Sequence, residues 1–146
     1  MTVRVEVQEG YPSVEVIVRC PSETPEVRSI LAAVQGVNSR FAGLKDGVTH
    51  VIDWQDVLYC ESVDKRCFIY TAGAVYESQA RLYEIEDRFS DVGFARISKS
   101  EVVNVRQITA LRPEFSRRLV LVMANGERLI ANRNYARSLK ERLGLT

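Results

Sequence analysis

The dipeptide Asn125–Gly126 constrains this chain most, because it stands between two short apolar runs, Leu119 to Met123 and Glu127 to Ala131. Asn-Gly accepts the left-handed backbone at both central positions of a two-residue turn, and that turn matches the twist of the strands it joins. The spacing predicts an antiparallel hairpin, and the same grammar recurs upstream. Val48 to Ile52, Val57 to Glu61, Cys67 to Thr71 and Val75 to Ser78 read as short strands separated by polar or Gly-containing turns. A helix follows, with Leu82, Ile85 and Phe89 on one stripe, ending near Gly93. Phe94 to Ile97, Val102 to Val105 and Ile108 to Leu111 resume the extended pattern, the last closed by Pro113. Asn132 is placed to cap a final helix whose apolar positions are Tyr135, Leu139 and Leu143, with Gly144 at its end. The expected class is mainly β with short helices.

The first 45 residues differ in pattern. Val3, Val5 and Val7 alternate with charged residues, and Val14, Val16 and Val18 repeat that period, so a hairpin is expected. Thr24 and Pro25 suit a helix start, and Val27, Ile30, Leu31, Val34 and Val37 fall at helical spacing up to about residue 38. This β-β-α segment is too small to bury its apolar face alone. Either it packs on the rest of its own chain or it joins the same segment of a second copy in a homodimer. Gly43, Lys45, Asp46 and Gly47 mark the expected junction, which divides the chain into an extension, 1–45, and a strand-rich domain, 46–146.

At 46% hydrophobic and 27% charged residues, the composition is that of a globular domain. No apolar run reaches the length of a membrane span, and MTVRVEVQEG lacks the basic-then-apolar order of a secretory signal, so a cytoplasmic protein is expected. Cys20, Cys60 and Cys67 have no CxxC spacing, and the lone His50 gives them no metal-binding company. Reduced thiols at or near the core are expected in place of a disulfide between Cys60 and Cys67. No cofactor and no enzymatic activity are expected, since no nucleophile has an assignable base. The net charge of +1 conceals a split. Residues 94–146 hold eleven Lys and Arg against four Asp and Glu; residues 1–93 hold nine against fifteen. A basic half supplies a field for a polyanion, of which nucleic acid is the commonest.

From about Val48 to Leu145 the order of segments resembles the LytTR (LytR/AlgR-type) family of DNA-binding domains. The resemblance rests on DVLYCES at 56–62, FIYT at 68–71 and YESQARLYEIEDRF at 76–89, then FARISKSEVVNV at 94–105 and NGERLIANRNYARSLKERL at 125–143. It implies small antiparallel sheets of LytTR type with a short helix between them. It also implies sequence-specific binding of double-stranded DNA through loops carried by the sheets, in a transcriptional regulator. The first 47 residues lack a phosphoreceiver's acidic cluster, so the resemblance is to the standalone form of the family, with a small membrane protein encoded nearby as an implied partner. Repeated half-sites and a second copy are expected, because one small module buries limited surface on DNA.

The resemblance places DNA contacts in three regions. In the first, Val63–Asp64–Lys65–Arg66, Arg66 is expected at a base edge and Lys65 at a phosphate, against a merely solvated turn. In the second, Ser98 stands where the family pattern F-x-R-x-H-x-S has a histidine, a departure that shifts weight onto Lys99 and onto the Ser100 hydroxyl. Arg96 is read as support beneath this loop, paired to a carboxylate, and Asn104 as a group that bonds backbone. In the third, Arg133 opens the last helix and is the expected base reader; the alternative is that it braces the loop 98–100 through a carbonyl. Arg137 and Lys140 continue its stripe as phosphate contacts. Arg117 and Arg118 are either backbone contacts or solvated charge. The aromatic series Trp54, Tyr59, Phe68, Tyr70 and Tyr76 leaves a second reading, an RNA- or protein-binding module.

Overall fold

The computed structural model describes residues 1–12, 14–35 and 40–145. The first helix, α1 (Pro25–Gln35), starts as its sequence directs: the Thr24 hydroxyl accepts the Val27 amide at 3.4 Å. Its expected end near residue 38, with Gly36, Val37 and Asn38, lies outside the described residues. Val27 is buried, and α1 packs against the 3-10 turn Ser90–Val92.

Among the described residues ten strands follow, in two antiparallel sheets. The larger has the order β2-β1-β5-β4-β3-β7-β6, built from β1 (Arg40–Lys45), β2 (Val48–Asp53), β3 (Val57–Val63), β4 (Arg66–Thr71), β5 (Val75–Ser78), β6 (Phe94–Ser98) and β7 (Glu101–Asn104). The smaller has the order β10-β9-β8, from β8 (Ile108–Pro113), β9 (Leu119–Met123) and β10 (Arg128–Ala131). Pro113 is tolerated because β8 is an edge strand. Two more helices are present among the described residues, α2 (Leu82–Phe89) between β5 and β6, and α3 (Arg133–Arg142) after β10.

The large sheet is covered on both faces, which is why its central strands read as nearly continuous apolar runs. On one face Cys60, Ile69, Phe94 and Val102 pack with Leu82, Ile85 and Phe89 of α2, and with Trp54. On the other, Tyr59, Ala95, Ile97 and Val103 pack with Leu119, Leu121 and Met123 of the small sheet and Ala136 and Leu139 of α3. Cys60 and Cys67 are buried free thiols, and Cys20 is exposed. The Asn125–Gly126 hairpin forms with the expected partners, Leu119↔Ala131 and Val122↔Arg128.

Two connections share one design. Asp53 caps the 3-10 turn Trp54–Asp56 by accepting the Gln55 amide, and Asn104 caps Val105–Gln107 by accepting the Arg106 amide. The two turns are sewn together. Asn104 Nδ2 donates to the Trp54 and Val57 carbonyls at 3.1 and 2.9 Å, and the Gln107 amide donates to the Gln55 carbonyl.

The extension departs from expectation. Its helix is present, but the Val3–Val5–Val7 and Val14–Val16–Val18 runs form no ladder among the described residues. Val3, Val5, Val7 and Val14 are more than four-fifths exposed. An alternating pattern needs a surface to face, and an isolated two-stranded hairpin is marginal in water. The expected junction at 39–47 is also corrected. Arg40–Lys45 is β1, paired with β2 across the Asp46–Gly47 turn and with β5 on its other side, so a division between 45 and 46 cuts a hairpin. Gly43 allows this placement: a Cβ there would lie 2.6 Å from the Tyr76 Cβ.

Candidate nucleic-acid interface

Strand pairing brings four turns close together. In β3–β4 and β6–β7 the hairpin tips lie side by side, because β3 pairs with β7 and the Ser62 amide donates to the Ser100 carbonyl at 2.8 Å. The start of α3 joins them through the Asn132 amide, which donates to the Ile97 carbonyl at 3.0 Å. The β8–β9 turn, 114–118, comes out beside Ala131 through the Pro113↔Leu119 and Leu119↔Ala131 pairs and packs against α3.

The first turn is a two-residue one with left-handed backbone at both Asp64 (φ 50°) and Lys65 (φ 66°). Lys65 stands exposed at its tip, with no partner among the described residues. Arg66 does not project from the turn. Its Nε and terminal nitrogen donate to the two carboxylate oxygens of Glu77 at 2.9 and 2.7 Å, and its guanidinium lies 5.4 Å from the centre of the Phe68 ring. That hydrogen-bonded pair holds the Glu77 carboxyl below its ordinary pKa and raises that of Arg66. The pair occupies the Nε side of the guanidinium and leaves Nη1 unengaged among the described residues on a side chain 60% exposed, so Arg66 is fixed against β5 with donors still open to solvent.

The second turn is braced from within. The Ser98 hydroxyl donates to Glu101 at 3.1 Å and accepts the Ser100 amide at 3.2 Å. Arg96 reaches Glu86 of α2 with its Nε at 3.2 Å and a terminal nitrogen at 3.1 Å, and donates to the Lys99 carbonyl at 2.7 Å. Ser98 is thus a turn-closing residue in this structure. Lys99 is exposed and unpaired among the described residues. The bracing read for Arg96 is present, with its carboxylate identified as Glu86.

In the third, Asn132 caps α3 by accepting the Asn134 amide at 3.1 Å. Arg133 follows, exposed and without a partner among the described residues, so the loop 98–100 is braced by Arg96 and not by Arg133. Arg137 is loosely paired to Glu141 at 3.6 Å, and Lys140 is half-buried further along the helix. A cation at a helix start opposes the helix dipole, a cost relieved when an anion lies there. The fourth turn carries Arg117 and Arg118, the latter paired with Glu114 at 3.4 Å. Its place beside α3 was not legible in the sequence, because strand register set it.

Two members of the aromatic series are turned inward. Trp54 and Tyr59 are buried, and Tyr59 stacks on Tyr70 with centroids 4.4 Å apart while donating to Glu127. Among the described residues no cluster of His, Cys, Asp and Glu could hold a metal, and no helix is long and apolar enough to cross a membrane.

The family model of the LytTr DNA-binding domain matches residues 47–144. Uncharacterized HTH-type transcriptional regulators of Staphylococcus aureus strains NCTC 8325 / PS 47 and COL are each 29% identical over 130 residues, 88% of this chain and 88% of theirs. A solved LytTr DNA-binding domain from Bacillus cereus matches with a TM-score of 0.69 at 26% identity, over 73% of this chain and 98% of its own. The helix-turn-helix in those relatives' names has no counterpart here, since strands separate each described helix from the next. LytTR domains are DNA-binding modules and not catalysts. The chain belongs to the LytTR family of DNA-binding domains, and its function is DNA binding in the regulation of transcription.

Proposed function

We propose that the protein reads specific double-stranded sites with the turn 64–65, the turn 98–100 and the start of α3, pressed together on one basic end. The observation that carries this reading is the convergence of three unpaired, exposed cations, Lys65, Lys99 and Arg133, on turns that are themselves stiffly held. Arg133 is the base reader. Lys65, Lys99, Arg137 and Lys140 meet phosphates, and the Ser100 hydroxyl adds a backbone contact. Ser98 and Arg66 serve by shaping the turns that present those groups. The unit that binds begins with β1, and the protein acts in the cytoplasm on repeated half-sites as a homodimer. The exposed valines of the extension supply part of the dimer contact, and a small membrane protein encoded nearby is a further partner. Binding to the duplex upstream of its own coding region, measured against random duplex at the same salt, tests the reading. A preference of roughly a thousandfold or more is expected, the lower end of specific-to-non-specific ratios; equal affinity overturns it.

A further inference from the structure

Phe115 sits in the β8–β9 turn with 89% of its surface exposed, more than any other large apolar residue between 40 and 145. A single exposed apolar residue is common on a protein surface; this one stands out by how its turn is held and what surrounds that turn. The backbone that presents it is also unusual. Ser116 and Arg117 both have φ 62°, the left-handed region that residues with a Cβ avoid. Yet the turn is held. The Glu114 amide donates to the Arg118 carbonyl at 2.9 Å, Arg118 pairs with Glu114, and the turn packs against α3. Arg112 and Arg117 stand on either side of Phe115 in the sequence, both exposed and unpaired among the described residues.

We propose that Phe115 is an apolar wedge that enters the DNA minor groove between base pairs, with Arg112 and Arg117 on the groove's phosphates and walls. The proposal rests on the DNA-binding reading above and deepens it. Register fixes the location: Pro113 pairs with Leu119, which pairs with Ala131, so the turn that carries the ring comes out near the start of α3, on the end that carries the other three turns. The chemistry fits a groove that attracts arginine and a base step that can be unstacked by an apolar side chain, with the duplex kinked away from it. That continuity with the basic end favours DNA over a lipid surface or a protein partner.

The test uses a duplex selected from a random pool by the full-length protein, with fluorophores at its ends and 2-aminopurine scanned through the central steps. Phe115→Ala is expected to weaken binding on the order of tenfold, the scale of a lost base–aromatic stack. It should also reduce the end-to-end energy transfer that reports the bend. The slope of affinity against salt should not move, since no charge is lost, whereas Arg117→Ala should lower it by about one unit. The wild-type protein should brighten 2-aminopurine at one step, and Phe115→Ala should not. Phe115→Leu should keep most of the affinity, and melting of each variant checks that the fold is intact. A Phe115→Ala protein that binds and bends the selected duplex like the wild type overturns the wedge and leaves the DNA reading standing. So does loss of binding to anionic vesicles with DNA binding unchanged, which would make the ring a lipid contact. A pool that yields no preferred duplex brings down both.

Discussion

Asn104 is fully buried, and its amide makes three hydrogen bonds, two donated to carbonyls from the other 3-10 turn and one accepted from Arg106. Removing one partner from a buried set leaves the others desolvated and unpaired. Asn104→Ala is expected to cost about 3 kcal/mol in urea unfolding; a loss under half that would mean that the two turns hold without it. A backbone-bonding role for this residue is legible from an Asn inside an apolar run. Its partners are not, because Trp54 and Val57 lie some fifty positions away. Arg133 makes the opposite case. With no intramolecular partner, Arg133→Ala should leave the melting temperature unchanged and weaken cognate binding by about 1–3 kcal/mol while relaxing one base position. Full affinity and full base preference in that variant would remove the assignment. Burial pushes the Cys67 thiol up to about 11, and raises Cys60 as well. An acid whose folded pKa is raised contributes its stability in full below the unfolded value, 9.0 here, and loses it as pH rises toward the folded one. Unfolding free energy should therefore decline between about pH 9 and 11, and Cys67→Ala should flatten that decline from its own lower starting point.

The strands were legible wherever turn chemistry bounded them. Asn125–Gly126, the polar step 98–100 and the capped start of α3 each stand where the sequence puts them. β1 was missed because Gly43, Lys45, Asp46 and Gly47 have the composition of a linker, and nothing local shows that Gly43 is small to admit Tyr76. Gly43→Ala is expected to destabilise by about 1–3 kcal/mol, the scale of overpacking, since the obstructing atom is a Cβ with little room to move. The 64–65 turn sets stability against binding within one element. Lys65 adopts a left-handed conformation that glycine accepts freely. Lys65→Gly should stabilise the fold by about 1 kcal/mol while lowering the salt dependence of DNA binding by about one unit. A variant that loses both stability and affinity would show that the lysine stem has a packing role.

At the scale of the molecule, the charge split was legible as a basic half facing a polyanion, but the gathering of four turns was not, since it depends on how the two sheets stack. The extension's valines were legible as an apolar face and wrong as a strand pair within one chain. If they meet a second copy, the full chain should sediment as a dimer, and Val5→Asp with Val16→Asp should convert it to a monomer that still binds a single half-site. Monomer mass for both proteins would retire that role. One feature ties α2 to the end of the large sheet: Arg96, anchored to Glu86 of α2, holds the carbonyl of Lys99 in the turn 98–100. The shape of that turn is therefore borrowed from a helix ten positions earlier in the chain. A synthetic peptide spanning only 96–101, or a graft of those six residues onto another scaffold, would carry the lettering of the contact without the frame that keeps it readable.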